Sequence, residues 1–421
     1  MQEVDIATFL DSLGPAQTLL VFRTLEKDTA AEIFANLSSE QKNHLITDIS
    51  DDELKAIMQD LMVDDAVDML EEMPANLVNR VLSLSSPETR TLINQFLRYP
   101  ENSAGSIMTA EFISLKKELT VAEAINHIRR TGKDKETIYT CFVTNQNRVL
   151  EGIISVRTLL FSDNDTRLQV IMEQDIISVK TTEDQEIVAD IIRRYDLLSL
   201  PVVDQENRLV GIITVDDIID VIEKENTEDF EKMSAMLPSD KPYLKTSVFT
   251  LAKNRIIWLL ILLVSGMITG GILGKYEEAF ALFPILVTFI PMLTDTGGNA
   301  GSQSATLIIR GMAVNEITMK HIFIVLWKEI RVSFLVGFML SGISFLRLLI
   351  TGQGNWLVAT TVSISLYATV IMAKTLGGIL PMIAKKLKLD PAIMAAPLIT
   401  TVVDACSLMV YFSIARFLLH I

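Results

Sequence analysis

Apolar pairs recur every twelve residues through the first hundred positions: Ile33-Phe34, Leu45-Ile46, Ile57-Met58, Met69-Leu70, Val81-Leu82, with Ile93 opening a sixth. A second set keeps the same step between them, at Leu37, Ile49, Leu61, Met73 and Ser85. That period fits one short helix and a turn, so it predicts a stack of short helices, each burying one stripe against its neighbours. Ser38, Ser50 and Ser86 open runs with acids close behind, and Pro74 opens another, as N-caps and first turns favour. Residues 1–103 thus read as an all-α, right-handed short-helix solenoid, serving as a scaffold or a docking arm.

A longer repeat follows. "IMTAEFISL" (107–115) returns as "IMEQDIISV" (171–179), and "VTNQNRVLEGIISVRTLL" (143–160) returns as "VVDQENRLVGIITVDDII" (202–219). Short β-branched strands alternate with amphipathic helices in a βαββα order. The two units, 104–170 and 171–226, resemble a tandem pair of α+β CBS domains. Such pairs commonly sense ATP or another adenosine nucleotide. The family's ribose-contacting pattern, Gly-x-x-Ser/Thr-x-x-Asp, is matched by Gly211, Thr214 and Asp217; the first unit has Gly152 and Ser155 but Thr158 in place of the acid.

Beyond the second unit the pattern turns helical and acidic, with Asp216, Asp220, Glu223, Glu225, Glu228 and Asp229. Residues 227–250 read as a connecting helix and linker. Clustered carboxylates repel unless a base or a divalent ion intervenes, so this stretch is either a solvated connector or a cation sensor. Five apolar stretches follow, near 254–274, 280–308, 321–350, 357–384 and 392–419, each long enough to span a bilayer. The chain is therefore multidomain, ending in a five-helix transmembrane domain over 251–421.

Charge separates the halves. Residues 1–250 hold 45 acids and 24 bases, a net of −21; residues 251–421 hold 7 acids and 13 bases, a net of +6. The acidic body argues against nucleic acid and favours cations as partners. Lys241, Lys245, Lys253, Arg255, Arg310, Lys320, Lys385, Lys386 and Lys388 fall on one side of the spans. By the positive-inside rule that side is cytoplasmic, leaving the C-terminus outside the inner membrane. The absence of a basic segment followed by an apolar run at the start agrees with a cytoplasmic N-terminal region. Cys141 and Cys406 give no disulfide framework, and the four histidines form no zinc pattern. No nucleophile–base set or P-loop appears, so the chain does not read as an enzyme.

"PMLTDTGGNAGSQ", residues 291–303, interrupts the second apolar stretch. Irregular backbone is tolerated at membrane depth only where protein buries it or it lines water. A close-packed helix crossing accounts for Gly297, Gly298 and Gly301, but not for Asp295, Asn299 and Gln303 together. The segment reads as lining or bracing an ion path. Two acids stand out near the later spans: Asp390, and Asp404 fourteen residues on. A charge at the centre of a spanning helix costs roughly 2.5–3.5 kcal/mol, so Asp404 should face a partner or water. Pro391 and Pro397 are expected to break the start of that helix and free carbonyl oxygens beside it, a set suited to a hard cation.

Together the solenoid, the CBS pair, "P-x5-GGNxGxQ" and "DPA…PLITTxxD" resemble the MgtE family of magnesium channels over essentially the whole chain. The resemblance implies a homodimer in membrane lipid with its pore on the two-fold axis. Asp404 of each subunit would hold hydrated Mg²⁺, and Asp390 would stand at the cytoplasmic end. It further implies that Mg²⁺ bound to the acidic cytoplasmic domains closes the pore through the connecting helix, with Asp216 and Asp240 among the regulatory ligands. The family's acids where the solenoid meets the first CBS unit are reduced here to Glu101 in "RYPENSAGSIMT", and a Gly common three residues after the pore acid is Ser407. Other divalent ions such as Co²⁺ or Mn²⁺ suit the same oxygen ligands. A CBS-regulated anion channel would need basic residues in the path, and Lys374, expected to snorkel or to bond a carbonyl, is the one feature favouring it. A membrane-anchored nucleotide sensor would have no use for Asp404.

Overall fold

Helices α3 to α8 of the computed structural model begin at Lys27, Ser39, Asp51, Val63, Ala75 and Pro87, keeping the twelve-residue step. The structure describes residues 2–239, 243–276, 282–352 and 355–420. Helix α1 (Glu3–Asp11) and α2 (Pro15–Phe22) precede α3 (Lys27–Ala35), α4 (Ser39–Asp48), α5 (Asp51–Asp60), α6 (Val63–Glu71), α7 (Ala75–Leu84) and α8 (Pro87–Phe96). The repeated apolar pairs are the buried positions: Ile33, Phe34, Leu45, Ile46, Ile57, Met58, Met69, Leu70, Val81 and Ile93 all enter one core. Neighbours one helix apart pack together, α3 on α5, α5 on α7 and α6 on α8. Ser50 forms a full capping box with Glu53 at the start of α5, and Ser86 accepts from Thr89 at α8.

Two three-stranded sheets repeat one design. Strands β1 (Ser114–Leu115), β2 (Thr140–Thr144) and β3 (Leu150–Ser155) match β4 (Val179–Lys180), β5 (Ser199–Val203) and β6 (Leu209–Thr214). In each the first pair is parallel and the second antiparallel, with an irregularity at the same place, Val143/Thr144 and Val202/Val203. Amphipathic α9 (Val121–Thr131) and α12 (Gln185–Tyr195) bury equivalent faces. The units clasp each other: Thr109 bridges to Ile212, and Glu173 to Ile153. Met108 consequently lies in the core shared by the second sheet and the solenoid.

Spatially the chain divides at Glu223/Lys224. Helix α13 (Val215–Met233) runs through that division unbroken. In the second unit follow α14 (Val248–Gly274), α15 (Ile290–Ala313), α16 (Ile322–Thr351), α17 (Trp356–Lys386) and α18 (Ala396–Leu419). Helix α17 packs on α15, α16 and α18, and α15 packs on α18. Helix α14 lies along α18 and leaves its apolar side chains, Leu259, Val264 and Ile268 among them, exposed. Among the described residues four helical segments are long and apolar enough to cross a membrane: 248–274, 319–351, 356–386 and 391–419.

Candidate functional site

The glycine-rich stretch is not irregular. Residues 290–313 form a continuous helix, and the departure from α-geometry lies just before it, in a 3₁₀ turn at Pro284–Phe289. The glycines instead form a close-packed face. A Cβ on Gly297 would meet Thr369 Cγ2 at 2.8 Å and Ser407 Oγ at 2.9 Å; one on Gly298 would meet Thr400 Cγ2 at 2.5 Å. A Cβ on Gly377 of α17 would sit 2.2 Å from the Gly301 carbonyl oxygen, so α15 and α17 touch backbone to backbone. Ser407, where the resemblance implied glycine, is fully buried against Gly297. On the opposite face of α15, Asp295, Asn299, Gln303, Thr306 and Arg310 are exposed, a polar stripe at helical spacing.

Asp404 is half-buried on α18 and lies near enough to Asp295 to feel its charge. It sits eight residues into the helix, about 12 Å from its start. The expected carbonyl oxygens are not beside it. Pro391 opens a 3₁₀ turn, Pro391–Met394, and Pro397 stands in the first turn of α18, where proline leaves the helix intact. The Pro397 carbonyl accepts from Thr400 and Thr401 at 3.0 and 2.9 Å. The chemistry of this face is therefore carboxylates and amides.

Asp390 uses both oxygens. One accepts from the Ala392 N–H at 2.9 Å, capping the 3₁₀ turn; the other meets Lys232 Nζ at 2.8 Å. Lys232 also meets Glu228 at 2.5 Å. Burial works against the Lys232 charge, but hydrogen bonds from Asp390 and Glu228 outweigh it and push the ammonium above the ordinary lysine range. Burial and the Asp390 charge raise Asp229, with Glu225 and Glu228 adding to the repulsion. Glu228, Asp229 and Asp390 thus crowd around one ammonium, with Glu225 close enough to Asp229 to repel it. Asp216, Asp220 and Glu223 lie exposed earlier on α13. Asp240 lies outside the described residues. Among those residues no three His, Cys, Asp or Glu side chains converge as a ready-made metal site.

A second acidic group was not legible at the solenoid–CBS junction, where the linear stretch carries only Glu101. Asp64 and Asp65 of α6 interact with Glu111 and Glu136 of the first CBS unit and with Asp217 of the second. Burial, then the charges of Asp65, Glu111, Asp217 and Glu136, push Asp64 up to about 8. Burial, then Asp217 and Asp216, push Glu136 up to about 7. The Asp64 Oδ1 is enclosed without a hydrogen-bond partner. The signal in the sequence was the pair "DD" on a helix whose other face is all core; its partners lie 46 to 153 residues away, which no local pattern reveals.

Thr214 and Asp217 come together at the end of β6 and the first turn of α13, with Gly211 three residues earlier on the strand. Thr214 Oγ1 donates to Asp217 Oδ2 at 2.6 Å. Gly211 also has a packing role: a Cβ there would meet Met108 Sδ at 2.6 Å and the Thr109 carbonyl at 2.8 Å. In the first unit Gly152 packs the same way on Met172.

Two further residues within the spans differ from expectation. Glu329 on α16, passed over in favour of Asp390 and Asp404, accepts a hydrogen bond from buried Ser304 of α15 at 2.6 Å. Gly378 makes room for it, since a Cβ there would lie 3.0 Å from Glu329 Cγ. Lys374 does not snorkel; α17 is covered by neighbouring helices on several sides and encloses it at 6% exposure.

Comparison with known proteins decides the family. Residues 1–102 match the MgtE intracellular N domain, 104–164 and 168–224 match CBS domains, and 290–414 match a family described as divalent cation transporter, MgtE. The magnesium transporter MgtE of Thermus thermophilus is 37% identical over 99% of this chain and 93% of its own length. The chain belongs to the MgtE family of magnesium transporters. The Bacillus subtilis magnesium transporter MgtE is 33% identical over 99% of the chain and 94% of its own length. Family members are ion transporters, not enzymes. Among solved structures, the cytosolic domain of the Mg²⁺ channel MgtE in complex with ATP is 36% identical, with a TM-score of 0.50 over 52% of this chain and 90% of its own. The soluble part of a magnesium transporter is 33% identical, with a TM-score of 0.52 over 53% of this chain and 89% of its own.

Proposed function

We propose that this chain conducts Mg²⁺ into the cytoplasm as a homodimer, through a pore on the two-fold axis walled by α15 and α18. The observation that carries this reading is the exposed polar stripe Asp295–Asn299–Gln303, set beside Asp404, on helices that otherwise bury apolar or glycine faces. Lipid is a poor neighbour for such a stripe; water and a second copy of it are good ones. One Asp404 per subunit gives two carboxylates, which match a doubly charged ion that keeps most of its water. In this reading α14 to α18 are five spans, the N-terminal domains are cytoplasmic and the C-terminus is outside. Domain limits are 1–103 for the solenoid, 104–170 and 171–226 for the CBS units, 227–250 for the connector and 251–421 for the membrane domain.

Gating follows from charge crowding. The carboxylates of α6, the CBS pair and α13, Asp216 among them, repel in the compact state; Mg²⁺ bound to them, with Asp240 as a further ligand, relieves the repulsion and favours that state. The ATP found with a relative's cytosolic domain supports nucleotide binding here at Gly211, Thr214 and Asp217. The deciding experiment is Mg²⁺ influx into liposomes for wild type, Asp404→Ala and Asp404→Asn, with Co²⁺ and Mn²⁺ as competitors. Both variants should lose uptake by more than about 100-fold while still dimerising, as loss of the main charge that holds the ion at membrane depth demands. Uptake that survives both substitutions removes Asp404 from the pore.

A further inference from the structure

The end of α13 is fastened to the membrane unit by several independent contacts. Met233 packs on the apolar core of that unit. The Leu237 N–H donates to the Asn254 carbonyl at 2.9 Å, and Asn254 Nδ2 donates to the Pro238 carbonyl at 3.2 Å. Glu231 accepts from the Ser239 N–H at 2.8 Å, closing the turn that follows the helix. At the centre of this docked end stands Lys232, 2.8 Å from Asp390 and 2.5 Å from Glu228.

We propose that Lys232 is a residue of the ion pathway: a tethered cation that occupies the Asp390 position while the connecting helix is docked, in place of the divalent ion. This rests on the conduction reading above. Asp390 and Glu228 both meet this one ammonium and Asp229 feels its charge, so three carboxylates face a single positive charge and the docked group remains negative. An ammonium is a compact, strongly hydrated point charge, as a divalent ion is, and it competes for the same oxygens. Held on the same chain, it needs no bulk concentration to do so. Docking therefore closes the cytoplasmic mouth by substitution of charge as well as by bulk. Without Lys232, Glu225, Glu228, Asp229 and Asp390 repel, and the helix stays docked only when an ion from solution takes the empty place.

The test uses the full chain in liposomes, with Mg²⁺ titrated on the cytoplasmic side and flux normalised to each variant's maximum. Lys232→Met should raise the Mg²⁺ concentration for half-closure by about three- to tenfold, the scale of one partly buried ion-pair coupling, and steepen the curve. Lys232→Arg should stay near wild type. Adding Asp390→Asn to Lys232→Met should bring half-closure back toward that of Asp390→Asn alone, since the repulsion is gone. A half-closure unchanged in Lys232→Met, or moved equally by Lys232→Arg, overturns the proposal. Amide exchange over residues 230–239 gives a flux-independent arm. In chelator it should speed up in Lys232→Met and be slowed again by Mg²⁺; equal exchange in wild type and variant also overturns it. If wild type carries no Mg²⁺ flux at all, the conduction reading fails, and the exchange arm still decides the docking role of Lys232.

Discussion

In the membrane unit two acids away from the polar stripe are satisfied: Glu329 accepts from Ser304, and Asp390 is shared between a backbone N–H and Lys232. In the cytoplasmic unit Asp64 is surrounded by Asp65, Glu111, Glu136 and Asp217, and one of its oxygens has no hydrogen-bond partner. The same functional group is thus satisfied in one region and frustrated in the other. A satisfied carboxylate fixes geometry, because removing it strands its donor. A frustrated one stores repulsion that protons or cations can release, which suits a sensor.

The most damaging way to probe the satisfied region is at its backbone contact. Gly377→Val places carbon against the Gly301 carbonyl, with no flexible side chain to yield. Monodisperse protein should disappear from size-exclusion profiles in detergent, and uptake should fall by more than about 100-fold. Glu329→Leu should be milder, costing about 1.5–3 kcal/mol as a lost charge-assisted hydrogen bond, with Glu329→Gln recovering much of it. Thermal melts of both variants would check this, and a Glu329→Leu protein as stable as wild type would break the comparison.

The frustrated region should respond with the opposite sign. Asp64 is raised from 3.8 to about 8, so the folded state holds a proton the unfolded state has lost. That stabilisation is complete below the unfolded value and is lost as pH rises through about 8. The cytoplasmic unit should therefore melt at lower temperature at pH 8.5 than at pH 6 in chelator, and Mg²⁺ should narrow the gap. Asp64→Asn should raise the melting temperature at pH 8.5 by about 2–4 °C and flatten the pH dependence, the smallest effect of the set.

These opposite behaviours were unequally legible. The solenoid was readable because one period repeats six times, and the CBS pair because one strand order repeats twice. Asp404 stood out as a lone charge in an apolar run. Glu329 did not, because Lys328 and Arg331 flank it and make it resemble the charged end of a span. The helical state of residues 290–313 was misjudged because glycine and proline were read as local breakers. In the folded chain, contacts with α17 and α18 override that preference. The Asp64 cluster was invisible because its members meet only through tertiary structure. The Lys232–Asp390 pair, 158 residues apart, was invisible for the same reason.

The polar stripe of α15 also bears on biogenesis. Helices α14, α16, α17 and α18 fall within the segments long and apolar enough to cross a bilayer, whereas among the described residues α15 is not one of these. As it leaves the ribosome it has only α14 ahead of it, and its glycine face is shaped for α17 and α18, which are made later. Its retention therefore waits on downstream synthesis: the segment that lines the proposed conduit is the last to become secure in the membrane.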